Sequence, residues 1–215
     1  MNTKIPAKEF WKIEPEKTAL VVIDMQQAFL DEGAAVECIG GREIVPKING
    51  LARMCRKLKI PVVQVHNIFR ADLSDAGLVS DFKTDELDSE YYCVQGRKGA
   101  EFYPKLEIVE DDYIVSKIRF SAFISGASHL EMLLRSLGRD SFIACGVATE
   151  GCVAATIMDA QMLGFKVFCV GDLTAGRNEE WVRITLELLN RHYAKVMSFE
   201  EVKKELEQLA VTAQA

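Results

Sequence analysis

Three residues of this 215-residue chain stand where a nucleophile, a base and a cation could meet. Cys152 lies in GVATEGCVAAT, after a glycine-containing turn and at the predicted first turn of a helix. Asp24 closes the apolar run TALVVID, and Lys117 closes DDYIVSK. A thiol attacks as thiolate, and its ordinary pKa of ~8.5 falls at a helix N-terminus or beside a cation. Cys152 has the predicted helix and Lys117 offers the cation, so a lowered thiol pKa is expected. N–H groups of the same first turn would face an oxyanion formed on an attacked carbonyl. Asp24 would accept the thiol proton; its aqueous pKa of ~3.9 is low for a base, so burial must raise it while Lys117 restrains the rise. Each residue also has a plain structural reading: Asp24 as a turn cap, Lys117 as a surface charge, Cys152 as buried filler.

The elements that must bring the three together alternate regularly. Short apolar runs predict strands over 18–24, 61–67, 111–117, 141–147, 165–172 and 194–198. Helical spacing of apolar residues predicts helices over 42–59, 127–138, 152–164, 178–192 and 199–209. Strands separated by helices imply an α/β fold with a parallel sheet covered on both faces, and ligands of such sheets bind outside the carboxyl ends of the strands. The residues at those ends are Asp24, His66 and Asn67, Lys117, the turn ATEGC, and Asp172. Residues 68–111 have no sustained periodicity and read as a long excursion with short helices, a feature more often functional than accidental.

Composition narrows the partners. With 49% hydrophobic and 27% charged residues the chain reads as one domain over 1–215. A net charge of -6 argues against nucleic acid and acidic membranes, leaving small molecules and proteins. The opening residues hold no apolar signal segment and no run is long enough to span a bilayer, so a cytoplasmic location is expected. Six cysteines without zinc-like spacing read as free thiols in a reducing compartment. DMQQAF after the first strand lacks the glycine turn that would cradle a nucleotide phosphate.

VVIDMQQAF with Asp24, VSKIRFSAF with Lys117 and GVATEGCVAAT with Cys152 together resemble the isochorismatase-like cysteine hydrolases in order and spacing, over about residues 18–200. The resemblance implies a three-layer α/β/α sandwich on a six-stranded, mainly parallel sheet of Rossmann-like order. It also implies an Asp24–Lys117–Cys152 catalytic triad, hydrolysis of small amides without a cofactor, and homodimers or homotetramers. A cis peptide at Val147–Ala148 is implied too, with the backbone N–H groups of Ala148 and Cys152 as the oxyanion hole. Gln27 and Ala28 depart from the common DMQxDF form.

Within that family, a retained cysteine separates the chain from isochorismatases proper, which cleave a vinyl ether without one. Nicotinamidases carry a metal on a DxHxxxHxxF-like segment; VHNIFRADLSD holds only His66 there, so no metal is expected. HNIFRADLSDAG and GDLTAGR look closer to the branch of N-carbamoylsarcosine, maleamate and biuret amidohydrolases. On that match Arg177 is the candidate anchor for a substrate carboxylate, held by two parallel hydrogen bonds, although the chain continues GRNEEW where those enzymes usually have a proline–histidine pair. Phe29 is expected to wall the pocket. Arg119 either enters the site or pairs with an acid such as Asp172. His66 is a candidate substrate contact or, like His192, a satisfied polar residue; His129 is expected at the surface. YYC and GRKGAEFYP are candidate lid segments. The reaction expected is cysteine-dependent hydrolysis of an amide, ureido or carbamoyl C–N bond; the alternatives are a vinyl-ether hydrolase and a non-catalytic binding module.

Overall fold

The structure, a computed structural model, describes residues 7–82 and 92–212. Its centre is one sheet of six strands: β1 (Thr18–Ile23), β2 (Val62–Asn67), β3 (Tyr113–Lys117), β4 (Ser141–Val147), β5 (Lys166–Ala175) and β6 (Lys195–Met197). They lie in the order β3-β2-β1-β4-β5-β6, and every neighbouring pair is parallel. The chain turns outward in opposite directions from β1 and β4, so a crevice opens between their carboxyl ends.

Each strand feeds both faces because successive side chains point to opposite sides. Leu20 and Val22 of β1, with Ile143 and Cys145 of β4, pack against α2 (Gly41–Lys57) and the C-terminal helix Phe199–Thr212. Ala19, Val21 and Ile23, with Phe142 and Ala144, pack on the opposite face against helices Leu130–Ser136, Ala154–Met162 and Glu179–His192. Counting the short helices Gln27–Leu30 (α1) and Val79–Phe82 (α3), these three become α4, α5 and α6, and the C-terminal helix α7. All of β1 and β4 is buried, as expected of central strands covered on both faces.

Several boundaries differ from those read in the sequence, the end of β5 and the start of α4 among them. The β5 strand does not end at Asp172: the register between β4 and β5 shifts between Ala144 and Gly146, and β5 continues to Ala175. Asp172 therefore lies within the strand, exposed, where its carboxylate accepts the backbone N–H of Phe199 at 2.7 Å and caps α7. The helix predicted over 127–138 is shorter, because residues 124–127 form a hydrogen-bonded turn and α4 begins at Leu130.

The excursion folds back over the carboxyl end of the sheet. Phe102 bridges Gln26 and Val94 bridges Phe69, while Phe69 stacks on Tyr92 at 6.0 Å within a small apolar cluster of its own. Of the candidate lid segments YYC and GRKGAEFYP, Tyr91 lies outside the described residues.

Gly146 sets the spacing of the two central strands at the crevice. Its φ of +115° lies where side chains are rarely tolerated, and a Cβ would overlap the Ile23 backbone, with the amide nitrogen at 2.7 Å. Gly146→Ala is expected to destabilise the protein by at least about 2 kcal/mol, lowering the melting temperature by roughly 4–8 °C. A thermal melt within one degree of the unsubstituted protein would show that this close approach does not constrain the fold.

Candidate active site

Asp24, Lys117 and Cys152 converge at that crevice. Lys117 Nζ lies 2.8 Å from Asp24 Oδ2 as an ion pair and donates hydrogen bonds to Cys152 Sγ at 3.3 Å and to the carbonyl of Arg119 at 3.1 Å. Asp24 and Lys117 have no exposed surface, and Cys152 retains 6%. Outside its contact with Lys117, the Asp24 carboxylate has no well-aligned hydrogen-bond donor among the described residues, and the Cys152 thiol is the other group near enough to share a proton with it.

Local sequence explains the convergence. Asp24 follows β1 directly, with φ +51°, a left-handed conformation that costs a non-glycine residue about 1–3 kcal/mol. The turn is fixed by its N–H on Val65 and by Gln26 N–H on its carbonyl at 2.7 Å. Fully buried Gln26 then acts like an added strand partner. Its amide donates to the Asn67 and Ala100 carbonyls, both at 2.9 Å, and accepts the Asn67 N–H at 2.8 Å. Lys117 is the last residue of β3 and pairs with Asn67. Cys152 arrives on the turn after β4, where the Val147–Ala148 peptide is cis, as the resemblance implies.

The helix expected to start at Cys152 begins instead as a π turn, Thr149–Val153, with α5 following from Ala154. The expected lowering of the thiol pKa is also overturned. Burial and the Asp24 charge push Cys152 up to about 12 against the pull of Lys117. Burial alone would lower Lys117, but Asp24 and the Cys152 sulfur hold it above the usual lysine range. At rest the cluster is therefore an ammonium beside a neutral thiol, with the same ammonium paired to Asp24.

Of the three, Cys152 opens on a cavity of about 220 Å³ that Ala148 and Gly151 also line, with Asp24 and Lys117 buried behind it. Phe29, Tyr92, Phe120 and Trp181 provide aromatic walls, and Asn67, Glu150 and Arg177 the polar groups. Phe29 and Arg177, both candidates from the sequence, line this cavity. Arg177 is exposed and donates to the Ala35 carbonyl at 3.3 Å. GRNEEW makes structural sense here: Asn178 caps α6 by accepting from Glu180 and Trp181 N–H, which seats Trp181 at the cavity rim.

Two candidates fall outside the cavity. Arg119 neither enters it nor pairs with Asp172; its guanidinium holds the Asp75 and Ala76 carbonyls and so ties the excursion to β3. His66 stacks on Phe102 at 4.9 Å and hydrogen-bonds Ser116 Oγ at 2.7 Å, a partly buried polar residue whose burial lowers its pKa. Conversely, Glu150, Phe120 and Trp181 line the cavity without having been candidates from the sequence, whereas Tyr92 belongs to the candidate lid segment YYC. Glu150 and Phe120 sit inside the very motifs quoted for Cys152 and Lys117, so proximity was the available signal. Among the described residues no group of three or more His, Cys, Asp or Glu is placed to hold a metal, and no helix is long and apolar enough to cross a membrane.

Residues 18–201 match the family model of the Isochorismatase domain. A probable inactive nicotinamidase of Arabidopsis thaliana is 35% identical over 76% of this chain and 83% of its own. An N-carbamoylsarcosine amidase of Arthrobacter sp. is 25% identical over 90% and 72%, respectively. The crystal structure of a cysteine hydrolase from Pseudomonas syringae pv. phaseolicola 1448A superposes with a TM-score of 0.85 at 27% identity, covering 92% of this chain and 96% of that one.

The opposed pulls on Cys152 can be separated. Asp24→Asn removes the charge that raises the thiol while Lys117 still lowers it, so its titration is expected to fall by at least about one pH unit. Ultraviolet thiolate absorbance, read as the difference from the matching Cys152→Ala protein, measures it. An unmoved or higher titration in Asp24→Asn would remove Asp24 as a cause of the protonated resting state.

Proposed function

The chain belongs to the isochorismatase family of hydrolases, and from that premise we propose that it is a cysteine-dependent amidohydrolase cleaving the C–N bond of a small amide, ureido or carbamoyl compound. The observation that carries this reading is the contact of a buried Asp24 carboxylate and the Cys152 thiol with one ammonium, directly behind a cavity that Cys152 lines. An ion pair with no exposed surface is expensive to desolvate, and a carboxylate short of donors adds to that cost. A merely binding role gives no reason to keep both. The similar N-carbamoylsarcosine amidase points to the same bond class.

In this mechanism the substrate carbonyl docks over Cys152, Asp24 takes the thiol proton, and the sulfur adds to the carbonyl carbon. The oxygen becomes an oxyanion facing the N–H groups of Ala148 and Cys152. Collapse breaks the C–N bond while Asp24 returns the proton to the departing nitrogen, leaving a thioester. Asp24 next takes a proton from water, hydroxide adds, the C–S bond breaks, and the proton goes back to sulfur. Lys117 stays charged throughout and stabilises whichever of Asp24 and Cys152 is the anion. A thiol with a high resting pKa suits this cycle: proton and negative charge move together, and a thiolate forms only where a carbonyl is there to receive it. Arg177 is the anchor for a substrate carboxylate. In this reading the protein is also cytoplasmic, consistent with six free buried thiols, and a homodimer or homotetramer.

Ammonia release from a panel of small amides and ureido acids tests the proposal. At least one class is expected to turn over at a rate unaffected by chelator, and Cys152→Ala to lower it at least about a thousandfold. Full activity in Cys152→Ala, or loss with chelator, would overturn the metal-free cysteine mechanism.

A further inference from the structure

The turn that carries Cys152 also carries an acid with no part in that mechanism. Glu150, two residues before the nucleophile, lines the same cavity as Arg177. Its Oε1 accepts the backbone N–H of Arg177 at 2.8 Å. Its Oε2 is buried without a hydrogen-bond partner, pressed against Gly176. A Cβ on Gly176 would overlap that oxygen and lie 2.7 Å from Val182, so the residue before Arg177 has no room for a side chain. From the other side, Ile39 N–H donates to the Gly176 carbonyl at 2.8 Å, and Arg177 Nη2 donates to Ala35. The backbone at Gly176–Arg177 is thus clamped between the nucleophile turn and residues 35–39.

A carboxylate placed beside the proposed anion anchor works against it in one respect, since its charge repels an incoming anion. In another it works for the anchor: a charge-assisted bond to a backbone N–H is short and directional. We infer that Glu150 is a positioning residue that fixes the turn bearing Arg177 to the turn bearing Cys152, so that the enzyme selects amides whose carboxylate lies at a set distance from the attacked carbonyl. The inference rests on the proposed anchoring role of Arg177. It makes the preferred substrates acids with one carboxylate, and neutral amides of equal size poor ones.

Charge and position predict opposite signs, and this separates them without knowing the substrate. Alkylation of Cys152 in the full chain is measured with iodoacetate and with iodoacetamide at one pH, and the ratio of the two rates is compared among variants that melt cooperatively. Arg177→Ala is expected to lower the ratio. Glu150→Asp keeps the charge but is too short to reach the Arg177 N–H, and should lower the ratio at least about threefold. Glu150→Ala should also lower it, although a negative charge has gone. Glu150→Gln, whose side-chain oxygen still accepts that N–H, should match or exceed the unsubstituted protein. Hydrogen exchange at the Arg177 amide should speed up in Glu150→Asp and Glu150→Ala and stay slow in Glu150→Gln. A raised ratio in Glu150→Ala, or an unchanged one in Glu150→Asp, would mean Glu150 acts by charge alone and overturn the inference. An unchanged ratio in Arg177→Ala would remove the anchor and the inference with it, while the ammonia panel decides the hydrolase reading separately.

Discussion

A lysine ammonium with no exposed surface must be matched by its surroundings or lose its proton. Lys117 is matched by three groups from different elements: the Asp24 carboxylate after β1, the Cys152 sulfur after β4, and the Arg119 carbonyl just beyond β3. Because these arrive from three strands, the order of the sheet is a condition for the charge to exist. Several local costs follow from it. Asp24 accepts a left-handed backbone, Gly146 gives up its side chain so that β4 can approach Ile23, and Gln26 is buried whole to hold the ends of β1 and β2 in line. Features like these, each unfavourable alone, persist where surrounding structure over-determines them.

The electrostatics of the cluster follow from burial more than from any helix. A cation beside a thiol favours the thiolate, but here the cation already serves a carboxylate, and burial penalises a second anion. One ammonium can balance one negative charge. In the resting site Asp24 is the ion-pair partner of that ammonium, and the proton stays on sulfur. In the proposed reaction the same count applies after proton transfer, when the charge sits on sulfur and Asp24 is neutral. A site holding one cation and one shared proton can exchange these two states without moving a side chain far.

Much of this was legible in the sequence because the information lies in apolar runs and what ends them. TALVVI, SFIACGV and YIVSK are strands with Asp24, the nucleophile turn and Lys117 at or beyond their carboxyl ends, and parallel topology then brings those ends together. Asp172 was misplaced because the shift between β4 and β5 lets an apolar run continue past an acid that a plain pattern takes as its end. Arg119 could not be assigned because its partners are carbonyls of the excursion, and carbonyls leave no mark in a sequence. The rise of the Cys152 pKa was missed for a related reason: helix and lysine can be read from residue order, but depth of burial cannot. Tyr92, Phe120 and Trp181 come from three separate segments, and only the folded excursion and the Asn178 cap decide that they face one cavity.

The site therefore divides into parts under different constraints. The triad is held by strand ends and backbone hydrogen bonds, so its geometry depends on the sheet and is insensitive to which side chains line the cavity. The walls are drawn from α1, from the excursion, from the segment after β3 and from the first turn of α6, none of which carries the sheet. Changes at Tyr92, Phe120 or Trp181 can alter what fits without disturbing the ammonium on which the cluster depends. Glu150 breaks that separation: it sits on the nucleophile turn but bonds the turn before α6. Through it, a displacement of the cavity wall at Arg177 would reach the turn that carries Cys152 by way of one hydrogen bond, and in the proposed reaction the position of the cysteine is tied to the shape of the substrate.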